Sequence, residues 1–240
     1  MSKISLVIFD LSGTTIEDNN RVAVNLHRVA REFGLQAPLS EFEQATGTNK
    51  IHLYEYVIAR ERGQALTMAD FRGSDQPDIQ AEAVRMYDRF TELMLAYYRE
   101  NVQAMPGAEE TFQWCHEQGI KVATDTGFHR DINEAIMQGL DWRGRGLVDL
   151  TVDVESTGGV GRPAPYMIFH AMQQLGVTSV HEVIKIGDTP ADLLSGYQAG
   201  CRGNIGVLSG ANPIEVLGRY THTHILPGVQ DLPELIESAF

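Results

Sequence analysis

The 240-residue chain is poor in thiols: two cysteines, Cys115 and Cys201, give no disulfide framework, and the reducing cytoplasm is the expected compartment. It is also poor in positive charge. Nineteen Lys and Arg stand against 32 Asp and Glu, a formal net charge of -13. Nothing then offsets phosphate repulsion over the whole surface, which excludes a non-specific nucleic-acid binder or an acidic-membrane binder. A small anionic substrate stays open where a few cations converge. No apolar run approaches the roughly 20 residues that span a bilayer. There is no internal repeat and no low-complexity tract, and no basic leader precedes the apolar pattern that begins at Ile4, so no secretory signal is expected. The apolar fraction of 43% and charged fraction of 21% are ordinary for a globular protein, and the length suits one large domain or a core with a smaller insert.

The first definite pattern runs from Ile4 to Thr15. Mostly apolar residues, β-branched at Ile4, Val7 and Ile8, predict a strand buried on both faces, as parallel sheets demand. It stops on Asp10, followed by a turn of small and hydroxyl residues, Ser12, Gly13, Thr14 and Thr15. Ligands of open α/β sheets sit beyond the carboxyl ends of the strands, so Asp10 stands where chemistry is usually done. The plainer alternative is that Asp10 merely caps the turn after it.

From about Asn20 to Arg99 the pattern is helical. Val22, Leu26, Val29 and Phe33 form one stripe, closed by Gly34. Ser40 with Glu43 fits a capping box for a short helix ending near Gly47. A third helix opens around Thr48 and Asn49, with Ile51, Tyr54 and Ile58 on one face. The fourth carries Ile79, Ala83, Met86, Phe90, Leu93 and Tyr97, and the polar, Gly-bearing stretch 60–77 is a loop. The expected organisation is therefore a core of residues 1–17 and 101–240, interrupted by a helical insert over 18–100.

Beyond Val102 strands and helices alternate. Pro106 and Gly107 open a helix through Glu117, and Ile120 to Ala123 is a strand tipped by Thr124, Asp125, Thr126 and Gly127. A helix over 130–138, a strand over 148–154, a helix over 165–175 and a strand over 182–186 follow, the last ending in Gly187, Asp188 and, further on, Asp192. Strands at 204–208 and 224–226 and a helix over 232–239 close the chain. This spacing predicts βαβ units in a doubly wound, mainly parallel α/β sheet.

Three strand tips thus carry polar clusters, Asp10 to Thr15, Thr124 to Gly127 and Asp188 to Asp192, and Arg162 lies in the run Gly-Arg-Pro-Ala-Pro. In order and spacing these four motifs resemble the haloacid dehalogenase superfamily of aspartate-nucleophile hydrolases, over the whole core. The resemblance implies a Rossmann-like core with a helical cap. It implies Asp10 as nucleophile, and Mg²⁺ held by Asp10, the Ser12 carbonyl and Asp188. Thr126, Gly127 and neighbouring N–H groups would bind phosphoryl oxygens, Arg162 would supply fixed positive charge, and Asp192 would serve as a brace or weaker ligand. These types suit phosphoryl transfer, which needs an in-line nucleophile, a metal and converging donors.

Two departures narrow the resemblance. Most members carry a second Asp two residues after the nucleophile, where this chain has Ser12, and a Lys where it has Arg162. Both changes resemble the phosphonoacetaldehyde hydrolase (phosphonatase) subgroup, as do the runs Gly-Arg-Pro-Ala-Pro-Tyr-Met and Ile184-Lys-Ile-Gly-Asp-Thr. There a cap lysine forms an imine with the substrate aldehyde, and Lys50, after the turn Thr46-Gly47-Thr48-Asn49, sits at the corresponding place, with His52 as a supporting residue. Lys50 falls in the first turn of a predicted helix, where the dipole disfavours an ammonium. Other positions differ from the subgroup: Leu53 replaces a histidine, Phe128 a tyrosine and Asp125 a neutral hydroxyl residue. The implied activity is hydrolysis of a small 2-oxoalkyl phosphonate, with a homodimer through the cap as the implied assembly. A phosphatase for a small phosphate monoester, or a binding module that kept the fold, are the rival readings. His222 and His224 lack a third ligand nearby, and Gly158 to Gly161 lacks the Lys-Ser/Thr of a P-loop.

Overall fold

A computed structural model describes residues 3–240 except Thr46, Thr48, Leu66 and Ala69, and except the Gln44 side chain. The expected helix start at Thr48, and two threonines of the turn before Lys50, lie outside the described residues. The elements are β1 (Leu6–Asp10), α1 (Arg21–Glu32), α2 (Leu39–Gln44), α3 (Lys50–Glu61), α4 (Pro77–Asn101), α5 (Ala108–Glu117), β2 (Lys121–Asp125) and α6 (Arg130–Leu140). There follow β3 (Leu150–Val152), α7 (Tyr166–Leu175), β4 (Val183–Gly187), α8 (Pro190–Ala199), β5 (Gly203–Val207), α9 (Ile214–Leu217), β6 (His224–Leu226) and α10 (Leu232–Ala239). The chain divides into two compact units, Met1–Asn19 with Tyr98–Phe240, and Asn20–Tyr97. No described helix is long and apolar enough to cross a membrane.

The first unit is a six-stranded sheet of order β3-β2-β1-β4-β5-β6, parallel at every pairing. It is the doubly wound α/β core that the alternation of elements predicts. β1 is buried along its length because both faces are covered. Leu6 and Ile8 pack into a cluster with Met167, Ile168 and Ala171 of α7. Phe9 points the other way, edge-on to Phe112 of α5 at 5.0 Å, and Phe112 meets Trp142 at 5.1 Å. Such aromatic pairs add about 0.5–1.5 kcal/mol beyond the area they bury. Strand order reverses between β1 and β4, so the ligand crevice of this topology opens at the tips of those two strands.

Several boundaries shift, two of them with consequences for the site. β2 extends to Asp125, two residues past its expected end, and the strand expected over 148–154 contracts to Leu150–Val152. Asp153 turns the chain off the sheet: its carboxylate accepts the Ser156 N–H at 2.8 Å and pairs with Arg130 at 3.2 Å, capping a single 3₁₀ turn, Val154–Thr157.

The second unit is helical. α1 buries Val22, Leu26 and Val29, and Phe33 ends it as a half-buried C-cap. In α4 the buried row follows Ile79, Ala83, Met86 and Phe90, then continues through Met94; the expected Leu93 and Tyr97 are half-buried. Each step of four advances the row by about 40° around the axis, so the buried face rotates along this 25-residue helix. α3 is buried well beyond one face, with Leu53, Tyr54, Tyr56, Val57, Ile58 and Ala59 all inaccessible.

The capping box assigned to Ser40 is not formed. α2 starts at Leu39 behind Pro38, whose fixed φ already suits a helix entry, and Ser40 lies inside the helix with no side-chain cap. Asn49 does cap α3, its Oδ1 accepting the His52 N–H at 3.1 Å. Replacing Asn49 with Ala should cost about 1 kcal/mol, whereas Ser40→Ala should stay within about 0.5 kcal/mol of the parent. Urea denaturation monitored by circular dichroism checks the contrast.

Candidate active site

Asp10 ends β1 in register with Asp125 of β2, and Phe9 pairs with Ile186, one residue before the end of β4. The sheet thereby brings the tips of three strands together. The turn after Asp10 is held by its own backbone: the Leu11 carbonyl accepts N–H bonds from Thr14, Thr15 and Ile16 at 2.8–3.1 Å. Thr15 Oγ1 donates to the Asp10 carbonyl at 2.8 Å.

Arg162 reaches this point from the segment ahead of α7. Its guanidinium donates to Asp10 Oδ1 at 2.6 Å, also donates to Asp192 Oδ1, and lies 3.5 Å from Asp125. Lys185, in the middle of β4, is fully buried and completes the cluster. Its Nζ donates to Asp125 Oδ1 at 2.8 Å and pairs with Asp192 Oδ1 at 2.8 Å. The three carboxylates whose oxygens lie within 4.8 Å of one another, Asp10, Asp125 and Asp192, are thus drawn together by two cations.

Asp192 has both oxygens engaged. It closes a capping box at the start of α8, accepting from Thr189 Oγ1 at 2.5 Å through the oxygen that Arg162 and Lys185 leave free. Gly187 makes room for it, since a Cβ there would strike the Asp192 carboxyl carbon. Burial opposes its ionisation, but Arg162 and Lys185 outweigh that and hold it well below the usual carboxylate range. Asp10 goes the other way. Burial, with the charges of Asp192 and Asp125, pushes it up to about 6 against the pull of Arg162 and Lys185. For Lys185 burial favours the neutral amine, yet Asp125 and Asp192 prevail and keep the ammonium.

Asp188 stands apart from this pairing. Its Oδ1 accepts from Thr14 Oγ1 at 3.3 Å and its Oδ2 from the Ala211 N–H at 2.7 Å. Gly13 and Gly210 wall it in: a Cβ on Gly13 would come within 2.7 Å of Asp188 Oδ2, and one on Gly210 would be closer still. Gly13 also adopts φ +83, a region glycine enters freely. Burial, then the charges of Asp10 and Asp192, raise Asp188 well above the ordinary carboxylate range. Four buried carboxylates, Asp10, Asp125, Asp188 and Asp192, therefore face two buried cations. With all four ionised, two negative charges would be left over, the complement of one divalent ion, and the raised Asp10 and Asp188 mark that shortage of positive charge. Oxygen donors in a close glycine-walled recess suit a hard cation such as Mg²⁺.

The site also holds unpaired donor capacity. Arg162 Nε is buried without a hydrogen-bond partner, as is Asp125 Oδ2. An unmatched guanidinium N–H at a strand tip is a ready donor to an anionic oxygen. Thr126 donates its N–H to the Val152 carbonyl at 2.9 Å and accepts the Phe128 N–H on Oγ1 at 3.1 Å. Those two N–H groups hold the turn that includes Gly127, so what Thr126 offers a ligand is its hydroxyl proton. Lys50 and His52 belong to the helical unit. Lys50 is the first residue of α3 and is 6% exposed, and the His52 ring lies 4.8 Å from Phe71.

Sequence reasoning missed Lys185, although a lone charge inside a buried strand was the signal, and Lys185 answers what becomes of the carboxylate at 125. Cys115 and Cys201 lie outside the site, and burial pushes each thiol up to about 12.

The haloacid dehalogenase-like hydrolase family model matches residues 4–200. The chain is 30% identical to the phosphonoacetaldehyde hydrolase of Parabacteroides distasonis, over 90% of this chain and 80% of that one. It is 28% identical to that of Lactiplantibacillus plantarum, over 98% of this chain and 96% of that one. Among solved structures, a phosphonoacetaldehyde hydrolase-like protein from Oleispira antarctica shares the fold with a TM-score of 0.79 at 21% identity, covering 98% of this chain and 92% of that one.

Lys185→Met should destabilise the protein by about 3–5 kcal/mol, because it strands buried carboxylate charge. Adding Asp125→Thr should recover much of that loss. Chemical denaturation of the two variants is the check, and a double variant no better than the single one would contradict the pairing.

Proposed function

The chain belongs to the haloacid dehalogenase-like hydrolases, and on that premise we propose that it cleaves the carbon–phosphorus bond of a 2-oxoalkyl phosphonate, phosphonoacetaldehyde or a relative, through a Lys50 imine and an Asp10 aspartyl-phosphate. One observation carries this reading: a buried lysine is the first residue of a helix, where burial and the helix dipole both disfavour its ammonium. The neutral amine is the form of a lysine that attacks a carbonyl.

The chemistry divides between two residues. The Lys50 amine adds to the substrate carbonyl and water leaves, giving an iminium. The Asp10 carboxylate then attacks phosphorus in line, and the C–P electron pair passes into the iminium to give an enamine. Water attacks the aspartyl-phosphate and restores Asp10. The enamine takes a proton on carbon and is hydrolysed, releasing the aldehyde and Lys50. Arg162 orients the nucleophile through its 2.6 Å bond and offers Nε–H to a phosphoryl oxygen. Thr126 offers its hydroxyl to another. Asp10, the Ser12 carbonyl and Asp188 would hold Mg²⁺, which neutralises phosphoryl oxygens when bound.

Ser12 weighs against the phosphate-monoester alternative. An alkoxide leaving group needs an acid, and a serine hydroxyl is too weak to supply a proton near neutral pH. An enamine leaves without one.

Borohydride added with phosphonoacetaldehyde should trap one adduct, on Lys50, located by peptide mass mapping. Lys50→Arg should give neither adduct nor C–P cleavage. Turnover of that variant at the parent rate would reject the imine. Mg²⁺ at about 100 times its dissociation constant should stabilise the parent by about 2.7 kcal/mol. Asp188→Asn should lose most of that increment in thermal denaturation without substrate.

A further inference from the structure

The buried row of α4 runs on from Met94 to a residue with a hydroxyl in the wrong place for a core side chain. Tyr98 is fully buried, and its Oη lies 3.0 Å from Ser12 Oγ. The ring of Phe128 packs edge-on against it, with centroids 5.8 Å apart. All three residues belong to the sheet unit. One of them, Phe128, stands where this chain departs from the phosphonatases, which carry tyrosine there, whereas Ser12 follows their pattern of a small residue two positions after the nucleophile. The Tyr98 hydroxyl thus reaches the residue two positions after Asp10.

The rest of that turn is fixed from within or behind. Gly13 donates its N–H to the Ile16 carbonyl at 2.8 Å, and its own carbonyl accepts from Ser209 Oγ at 2.8 Å. Met105 donates to the Thr15 carbonyl at 2.8 Å. Ser12 sits on the remaining side, and its side chain is tied to the last turn of a 25-residue helix through Tyr98.

We propose that Tyr98 is a positioning residue for the nucleophile turn: its hydroxyl fixes Ser12, and with it the backbone that sets Asp10. This rests on Asp10 being the nucleophile and not on which substrate it attacks. The phenol forms no bond to substrate and gives up no proton in the reaction.

The test is a cycle of Ser12→Ala, Tyr98→Phe and the double variant. Denaturation midpoints in the absence of substrate come first. If the two hydroxyls interact, the Ser12→Ala/Tyr98→Phe variant loses less than the sum of the single losses; strict additivity overturns the proposal whatever the substrate. Turnover of phosphonoacetaldehyde and of p-nitrophenyl phosphate is then measured in parallel. Tyr98→Phe should lower kcat by about 10- to 100-fold, as a misplaced nucleophile does, while KM stays within about threefold, on every substrate the parent turns over. Unchanged kcat, or a KM that rises in step with the loss, would leave Tyr98 a packing residue and overturn the proposal. A parent that hydrolyses only the phosphate ester would sink the phosphonate reading alone, and the cycle is then decided on that ester.

Discussion

A guanidinium and an ammonium, both buried, hold three carboxylates together where the central strands end. Arg162 and Lys185 share Asp192 between them, and each also takes a second acid, Asp10 for the arginine and Asp125 for the lysine. In low dielectric, isolated charges of this kind would be neutralised or exposed. Each ion here is retained because the next one is present, so the orientation of Asp10 depends on a strand residue it does not touch. The same coupling gives the acids different protonation: Asp192 is kept ionised, whereas Asp188 is left short of positive charge.

The parallel sheet makes this arrangement cheap to build. Asp10, Asp125, Asp188 and Asp192 come from three strand ends or the residues just after them, and the reversal of strand order at β1 and β4 opens the space they face. Glycine does the rest: Gly187 lets Asp192 fold back, while Gly13 and Gly210 close around Asp188. The precision of the site lies in backbone that no larger residue could occupy.

Much of the fold and the site is legible in the sequence, for identifiable reasons. A buried apolar run that stops on an acid can be seen in one dimension, so Asp10 and Asp188 are readable, whereas Arg162 is reached only through the family resemblance of its Gly-Arg-Pro-Ala-Pro run. Lys185 is not, because a strand that is otherwise apolar gives no hint of which acids lie beside it. Tyr98 is hidden differently: it continues the buried row of α4, and its partner is 86 residues away in sequence. The box at Ser40 shows the converse failure. The residue types match, but Pro38 has already fixed the entry to the helix. Leu93 and Tyr97 fail for a geometric reason, since a row in steps of four rotates away from a straight stripe.

The burial of Lys185 also bears on how the fold can be watched. The chain has four lysines, Lys3, Lys50, Lys121 and Lys185. Lys3 and Lys121 are open to solvent on the sheet unit, whereas Lys185 is sealed inside the sheet and locked in its protonated form. An acylating reagent would therefore mark the exposed pair at once and reach Lys185 only when the sheet parts. The modification of that one amine is a built-in chronometer for the opening of the strands around the reaction centre.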